Sequence, residues 1–164
     1  NLRGNVNTRL QKLEDNDWDG AIFAKAGLER IDILPEHTIA LDWMIPAPAQ
    51  GAMVIVALEN DTFSIAATQK LNHTHTEITT RLERDFLRTM EGGCTAPIGA
   101  FAEVVSNAID FKAGLFSLDG QEKIEVLKAV KLEDIEEALG STWVDEVRAR
   151  GGKELMDAIK SNMG

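Results

Sequence analysis

The sequence has one cysteine and few basic residues, and both scarcities restrict what the protein can be. A chain with a single cysteine cannot form an internal disulfide, which suits a reducing cytoplasm. The 17 lysines and arginines are outnumbered by 27 aspartates and glutamates, giving a net charge of -10. Because no lysine-rich block is present to neutralise phosphates, nucleic acids and anionic membranes are disfavoured as partners.

Other familiar patterns are missing as well. No apolar run approaches the length of a membrane span, and no signal-peptide pattern opens the sequence. The sequence contains no phosphate-binding glycine loop, internal repeat or low-complexity linker. With 44% apolar residues in 164, the chain can nevertheless bury a core, and we expect a protein of the cytoplasm with one domain or one domain and a further piece.

The cysteine, Cys94, follows a pair of glycines at the end of a predicted helix. Apolar residues recur at every fourth position, which predicts a helix over 74–90 with one buried face: Ile78, Leu82, Phe86 and Met90. Thr74 and Glu77 have capping-box spacing and predict a helix start near His75. Gly92-Gly93 favours termination of the helix, which predicts that Cys94 lies on a short loop.

Two interpretations of Cys94 remain open from its spacing alone. The C-terminal end of a helix is the negative end of its dipole, so this position is not expected to lower the cysteine pKa. That argues against a thiolate protease or a redox centre. In the first interpretation, Cys94 is a covalent tether for a prosthetic group, which needs only an accessible thiol with room around it. In the second, Cys94 is an inert, small apolar side chain.

The first sixty residues alternate between predicted helices and apolar runs. A helix should begin after Gly4-Asn5 and end at Asp15-Asn16-Asp17, and a buried strand is predicted over 19–24. A short helix should follow and end near Arg30. The proline-rich stretch 45–51 interrupts regular structure before a predicted strand over 53–58.

A more self-contained unit is predicted from about residue 60. Helix 61–71 precedes helix 74–90, and three strands follow: 100–105, 109–117 and 123–128. Asp119-Gly120 is a hairpin signal between the last two. Another helix should begin near Leu132 and continue to a break at Gly151-Gly152, followed by a last amphipathic turn or two. The pattern predicts an α+β domain, a three-stranded antiparallel sheet with helices on one face.

Three smaller patterns have plain alternatives. His73 and His75 could bind a metal, but the set of ligands is thin, and we favour structural or solvent roles and expect no metal site. The scattered tryptophans are interpreted as core or interface anchors. Arg3 and Arg9 flank a helix start, where two guanidinium groups could converge on an anion, although ordinary surface arginines give the same pattern.

Several motifs resemble one enzyme family in the order in which that family carries them. They are Leu2-Arg3-Gly4-Asn5-Val6-Asn7-Thr8-Arg9-Leu10, Ala26-Gly27-Leu28-Glu29-Arg30, Gln50-Gly51-Ala52, Leu71-Asn72-His73, and Glu83-Arg84-Asp85-Phe86-Leu87-Arg88 with Glu91-Gly92-Gly93-Cys94 and Pro97-Ile98-Gly99. The family is porphobilinogen deaminase, also called hydroxymethylbilane synthase. The motifs span roughly residues 1–103, and the remainder fits in length and pattern.

The resemblance implies a domain organisation. Residues 1–44 would be the second half of a middle α/β lobe with a periplasmic-binding-protein-like fold, and 45–59 a crossover strand belonging to an N-terminal lobe absent from this sequence. Residues 60–164 would be the C-terminal, cofactor-attachment domain. The sequence begins without methionine and inside a motif, so we expect it to be a fragment.

The resemblance also implies an activity, a transferase of tetrapyrrole (porphyrin and haem) biosynthesis. The intact enzyme would join four porphobilinogen molecules into hydroxymethylbilane, with release of ammonia, on a dipyrromethane primer held as a thioether on Cys94. Arg3, Arg9 and Arg30 would bind the acetate and propionate groups of the pyrrole rings. Ala24, Gly27 and Gln50 would line the pocket.

The implied partners are porphobilinogen, oligopyrrole intermediates and the missing N-terminal part of the same enzyme, with no nucleic acid or membrane, in a monomer. The family's catalytic aspartate would lie upstream of Asn1, so the fragment alone is expected to be inactive. Lys25, Pro48 with Ala49 (the family's usual pair is Val-Gly) and Val56 depart from the family pattern. The alternative is a non-catalytic binding module that shares the fold; the same pattern resembles double-stranded RNA-binding domains, but the acidic charge disfavours RNA.

Overall fold

A computed structural model describes residues 2–91 and 96–163. The chain divides into two compact units, Asn1–Leu41 and Asp42–Gly164, which are described separately below. Cys94 and its immediate neighbours, 92–95, lie outside the described residues.

The described residues of the first unit form the helices α1 (Val6–Asp15) and α2 (Lys25–Arg30). Asn5 caps α1, because its side-chain Oδ1 accepts a hydrogen bond from the Thr8 amide at 2.8 Å. The predicted strand over 19–24 is wrong, since this segment has no regular structure before α2 begins. A strand needs a neighbour for its backbone hydrogen bonds, and the described part of this unit contains no other strand.

The second unit is built on an antiparallel sheet with strand order β1-β2-β3. The strands are β1 (Ile98–Val105), β2 (Ala108–Phe116) and β3 (Lys123–Lys131). Ala100 pairs with Ala113, and Ala113 pairs with Val126, so these three share one face. The predicted three-stranded antiparallel sheet is confirmed, with strands that extend one to three residues beyond some of the predicted bounds.

The described residues of the second unit also form the helices α3 (Thr62–Gln69), α4 (Thr74–Thr89), α5 (Leu139–Val147) and α6 (Lys153–Met163). A 3-10 turn, Leu132–Asp134, follows β3, and a π-type turn, Arg148–Gly152, joins α5 to α6. Gly151 has φ +90°, so the predicted glycine break falls where the backbone bends.

The core lies between the helices and one face of the sheet. Phe111 on β2 is at its centre, with ring centroids 5.7 Å from Phe86 on α4 and 4.4 Å from Trp143 on α5. Met156 and Ile159 bring α6 to the same cluster. Trp143 is therefore a core residue, one of the two roles predicted for the tryptophans, whereas Trp18 and Trp43 are exposed. Aliphatic side chains make up most of the cluster around the three aromatic rings, and the burial of this apolar surface stabilises the unit.

Three local predictions for this unit are wrong. Residues 53–58 are not a strand; all six are exposed, and no described strand pairs with them. The helix near Leu132 is only a 3-10 turn, and α5 begins later. The predicted cap of α4 is wrong as well, although the helix begins at Thr74, close to the predicted start. His73 caps it, because the His73 ring nitrogen can accept a hydrogen bond from the Thr76 backbone amide.

None of the helices in the described ranges combines the length and the apolar character needed to cross a bilayer.

Candidate functional site

The predicted attachment residue, Cys94, follows α4 in the sequence, and the structure describes the chain on both sides of it. On the N-terminal side, Met90 is buried beneath the helix end, and Glu91 has a left-handed φ of +55°. A left-handed residue after a helix turns the chain away from the helix axis. On the C-terminal side, Pro97 accepts a backbone hydrogen bond from Phe116 at 3.0 Å, and β1 begins at once.

Side chains from the C-terminal elements hold the end of α4. Arg148 Nη2 donates to the Thr89 carbonyl at 2.8 Å, which supplies a partner to one of the terminal carbonyls that a helix leaves unpaired. The Thr89 hydroxyl donates to Ser141 Oγ at 3.0 Å. Lys160 lies 3.4 Å from Glu91, but this pair is exposed and contributes little. The last described turn before Cys94 is therefore fixed by α5 and the turn that follows it.

Glu83 is a buried carboxylate in the middle of α4. It is 5% exposed, and each oxygen accepts a backbone amide: Oε1 from Ala102 at 2.7 Å, and Oε2 from Ala49 at 2.6 Å. Burial raises the pKa of Glu83, and the two amide hydrogen bonds partly offset that rise. One side chain thus joins α4, the edge strand β1 and the irregular segment before residue 50.

The segment Ile45–Gly51 follows the free edge of β1. The Ala100 amide donates to the Pro46 carbonyl at 3.0 Å. Gly99 allows close approach, since a Cβ there would lie 2.8 Å from Ile45 Cγ2 and 2.9 Å from the Ile45 carbonyl oxygen. We call Ile45–Gly51 the edge segment. It covers backbone groups of β1 that would otherwise be exposed at the sheet edge.

Gln50, a predicted pocket residue, lies at the exposed tip of a turn in the edge segment. The backbone amide of Gln50 donates to the Ala47 carbonyl at 3.1 Å. Ala49 has φ +57° and Gly51 has φ +83°, so two left-handed residues flank Gln50. Ala49 stands where glycine is usual in the resembled family, and its positive φ gives the physical reason for that preference.

Arg3 and Arg9, predicted to bind carboxylates, lie beside the start of α1. Arg9 Nε donates to the Gly4 carbonyl at 2.8 Å, while Lys12 reaches back to the Arg3 carbonyl at 3.1 Å. Arg30 is the last residue of α2 and is exposed. None of these three arginines forms an ion pair with a carboxylate within residues 2–91 and 96–163.

Ala24 and Gly27 lie together at the start of α2. The Gly27 amide donates to the Ala24 carbonyl at 3.0 Å. A Cβ added to Gly27 would meet no described atom within 4 Å, so the backbone here is open to close approach. Lys25, the departure from the family pattern, lies 3.3 Å from Glu29 one turn along, and both side chains are largely exposed.

His73 and His75 have ring centroids 5.8 Å apart, but His73 has the capping role described above. Its ring nitrogen Nδ1 also lies 2.8 Å from the Thr76 hydroxyl. The described residues contain no group of three or more histidine, cysteine, aspartate or glutamate side chains placed to hold a metal ion.

The outer face of the sheet carries an open depression of about 400 Å³, and none of its lining residues is a predicted site residue. Phe101, Lys112 and Leu127 form a row across it, with Lys112 Nζ 5.2 Å from the Phe101 ring centroid. A shallow, mixed surface of this kind lacks the converging polar groups of a small-molecule site.

Sequence reasoning assigned no role to Glu83 or Arg148. Glu83 lies in a quoted motif, and its position one turn after the buried Thr79 puts a charge at the border of the apolar stripe. That signal could have marked it as a buried carboxylate. The partner of Arg148 is a backbone carbonyl 59 residues away, for which the sequence pattern contains no signal.

Two family models match the chain in sequence order. Residues 1–66 match the model described as "Porphobilinogen deaminase, dipyromethane cofactor binding domain". Residues 78–148 match "Porphobilinogen deaminase, C-terminal domain". The second match includes α4, the sheet and α5.

Curated relatives agree with the family models. The chain is 37% identical over 164 residues to a porphobilinogen deaminase of Campylobacter jejuni subsp. jejuni serotype O:23/36, covering 98% of the chain and 53% of the relative. It is 38% identical over 162 residues to a probable porphobilinogen deaminase of Methanosarcina barkeri, covering 95% of the chain and 50% of the relative. A Carboxydothermus hydrogenoformans porphobilinogen deaminase is 35% identical over 161 residues, with coverage of 97% and 51%. The chain spans about half the length of the curated relatives it matches.

Proposed function

This chain belongs to the porphobilinogen deaminase family, and on that premise we propose that it supplies the C-terminal half of a hydroxymethylbilane synthase. The complete enzyme would be a transferase that joins four porphobilinogen molecules head to tail, releases ammonia and frees hydroxymethylbilane by hydrolysis. The observation that carries this proposal is the match of both family models, in order, over 1–66 and 78–148. Family membership does not favour a non-catalytic module.

Cys94 would hold the dipyrromethane primer through a thioether. When bound, the primer supplies a tethered chain end, which keeps the growing oligopyrrole at high effective concentration beside one catalytic site. The contacts of Thr89 support this role, because Arg148 and Ser141 hold the last turn of α4 before Cys94. The described residues are compatible with such a tether, since Arg148 and Ser141 hold the end of α4 and do not require the thiol to do so.

Arg3, Arg9 and Arg30 would bind the acetate and propionate carboxylates of the pyrrole rings. A guanidinium group can bind a carboxylate through two parallel hydrogen bonds, and none of these three is engaged by a described acidic side chain. Their positive charges would also oppose the repulsion of an anionic product by a chain of net charge -10.

Ala24, Gly27 and Gln50 would form part of the pocket wall. The open space beside Gly27 supports close approach of a ligand to the backbone, and the exposed position of Gln50 supports a ligand-side hydrogen bond. We propose that catalytic proton transfer belongs to an aspartate before Asn1, as the family resemblance implies.

The remaining half of the enzyme would complete the structure around residues 1–59. We propose that 1–44 belong to an α/β lobe with a periplasmic-binding-protein-like fold, and that 45–59 cross to a sheet of the N-terminal lobe. Apolar side chains support this, since Trp43 is 74% exposed and Val56 is 84% exposed. Residues 60–164 would form the cofactor-attachment domain of an enzyme that would be monomeric and, in keeping with the single cysteine of this chain, cytoplasmic.

The first test is activity with and without the N-terminal half. The 164-residue chain alone should form no hydroxymethylbilane from porphobilinogen, whereas the complete enzyme that contains it should do so. Turnover by the purified chain alone would refute the assignment of the catalytic acid to the other half.

The second test is Cys94→Ala in the complete enzyme. Loss of the thiol should abolish primer attachment, seen by intact mass, and should abolish turnover. The matched control is Ser161→Ala, which removes an exposed hydroxyl of α6 but leaves the thiol intact and should retain the primer. Normal turnover by Cys94→Ala would remove the tether from the proposal.

A further inference from the structure

Glu83, on α4, is hydrogen-bonded to both the edge segment and β1. Its two oxygens accept the amides of Ala49 and Ala102, which are 53 residues apart in the sequence. A carboxylate that is 5% exposed loses most of its hydration, so its two charge-assisted hydrogen bonds replace water as its partners. Removal of the carboxylate would leave both amides without this acceptor.

The contact with Ala49 stabilises a backbone conformation that alanine rarely adopts. Ala49 has φ +57°, where the Cβ of an L-residue crowds the backbone. Such strain persists only where surrounding contacts fix it. The amide of Ala49 donates to Glu83, and the next residue is Gln50.

We propose that Glu83 is a positioning residue that sets the orientation of Gln50 for binding porphobilinogen or the oligopyrrole. This inference rests on the proposed function and adds to it a role for a buried carboxylate that touches no ligand. Glu83 holds the Ala49 amide, and thereby places the exposed turn of Gln50 relative to α4, the helix that leads to Cys94. The contact of Ile45 with Gly99 fixes the other end of the same segment.

Two variants perturb this arrangement in different ways. Glu83→Gln keeps the size of the side chain but leaves a single acceptor oxygen for two amides. Gly99→Ala leaves Glu83 intact and forces Ile45 away from β1, since the new Cβ would lie 2.8 Å from Ile45 Cγ2. Glu103→Gln is the matched control, because it removes the same charge from an exposed position on β1.

The experiment measures porphobilinogen turnover by the complete enzyme, with primer content determined by mass for every variant. Loss of a ligand-side hydrogen bond weakens binding in ground and transition states alike, so Glu83→Gln should raise KM about three- to tenfold with little change in kcat. Gly99→Ala should do the same, while Glu103→Gln should leave KM unchanged. Primer content should be equal in all of them.

A double-mutant cycle separates positioning from general structural support. In a Gln50→Ala background, Glu83→Gln should change KM less than about twofold, because Glu83 acts through Gln50. If Glu83→Gln raised KM by the same factor with and without Gln50→Ala, the two residues would act independently and the proposal would be overturned. An unchanged KM in both Glu83→Gln and Gly99→Ala would also overturn it. If Glu83→Gln does not fold, Gly99→Ala in the same cycle with Gln50→Ala decides the question.

Failure of the proposed function can be distinguished from failure of the proposal for Glu83. An inactive unmodified enzyme would overturn that function, whatever the variants do. The proposal for Glu83 would then be judged by hydrogen exchange in the peptide that contains Ala49 and Gln50. Glu83→Gln should accelerate exchange there relative to Glu103→Gln, and equal exchange would overturn it.

Discussion

The packing of α5 against α4 predicts that Gly140→Ala destabilises the second unit. Gly140 is buried in the first turn of α5, and a Cβ added to it would lie 2.5 Å from the Leu82 carbonyl oxygen and 3.1 Å from Asp85 Cβ. Real Cβ contacts require the helices to separate by roughly 0.5 to 0.9 Å, and overpacking of this kind costs about 1–3 kcal/mol. Alanine recovers up to about 1 kcal/mol of helix propensity, less near a helix end. The net loss should be about 1–2 kcal/mol.

Thermal and urea unfolding, followed by circular dichroism, measure this loss. For a unit of this size, we expect Tm to fall by about 3–10 °C, with the urea midpoint lowered in proportion. Gly20→Ala is the matched control, since a Cβ there would meet no described atom within 4 Å and its φ is not positive. An unchanged or raised Tm for Gly140→Ala would refute the close approach of α5 to the Leu82 carbonyl.

Three further predictions concern stability, each measured on the free energy of unfolding. Ala49→Gly should raise it by about 0.5–1 kcal/mol, because glycine adopts φ +57° without steric strain; a decrease would contradict that explanation. Phe111→Ala should lower it by about 3–5 kcal/mol, since this ring is at the centre of the core, and a loss below about 1 kcal/mol would place the core elsewhere. The Ser117 hydroxyl, and then the Gln121 amide, hold the pKa of Asp119 below its usual 3.8, so Asp119 stabilises the fold above that pH and loses this effect as pH falls through its folded pKa. The stability advantage of the unmodified protein over Asp119→Asn should therefore shrink below about pH 3.8, and a pH-independent difference would contradict it.

Short sequence patterns predicted the helices and turns that are specified by residues close together in the sequence. The apolar stripe of α4 and the Asp119-Gly120 hairpin are encoded within one helix face and one turn, and both were found where predicted. The sheet followed from three apolar runs separated by turn residues. These elements bury their own apolar faces against one another, so the pattern and the fold agree.

Most of the wrong predictions concern segments whose secondary structure depends on contacts with residues far away in the sequence. Residues 19–24 and 53–58 have strand-like composition, but a strand exists only where another strand accepts its hydrogen bonds. Near Leu132, the helical spacing of apolar residues was misleading. Four acidic residues follow within 133–137 and would repel one another at helical separations of three and four, so the backbone forms only a 3-10 turn there.

Motifs nominated Cys94 and the arginines for the candidate site from their residue types, and these assignments stay predictions. The contacts that support the described part of the site had no signal in the sequence. Glu83 and Arg148 act on backbone atoms of Ala49, Ala102 and Thr89, and any residue at those positions would offer the same backbone groups. Such contacts are visible only in three dimensions.

The most direct measurement of the central claim is the intact mass of the protein isolated from its own cells, followed by mapping of the peptide that contains Cys94. The account predicts an adduct of dipyrromethane size on that cysteine, in a preparation that converts porphobilinogen to hydroxymethylbilane. An unmodified Cys94 thiol in an equally active preparation would contradict it.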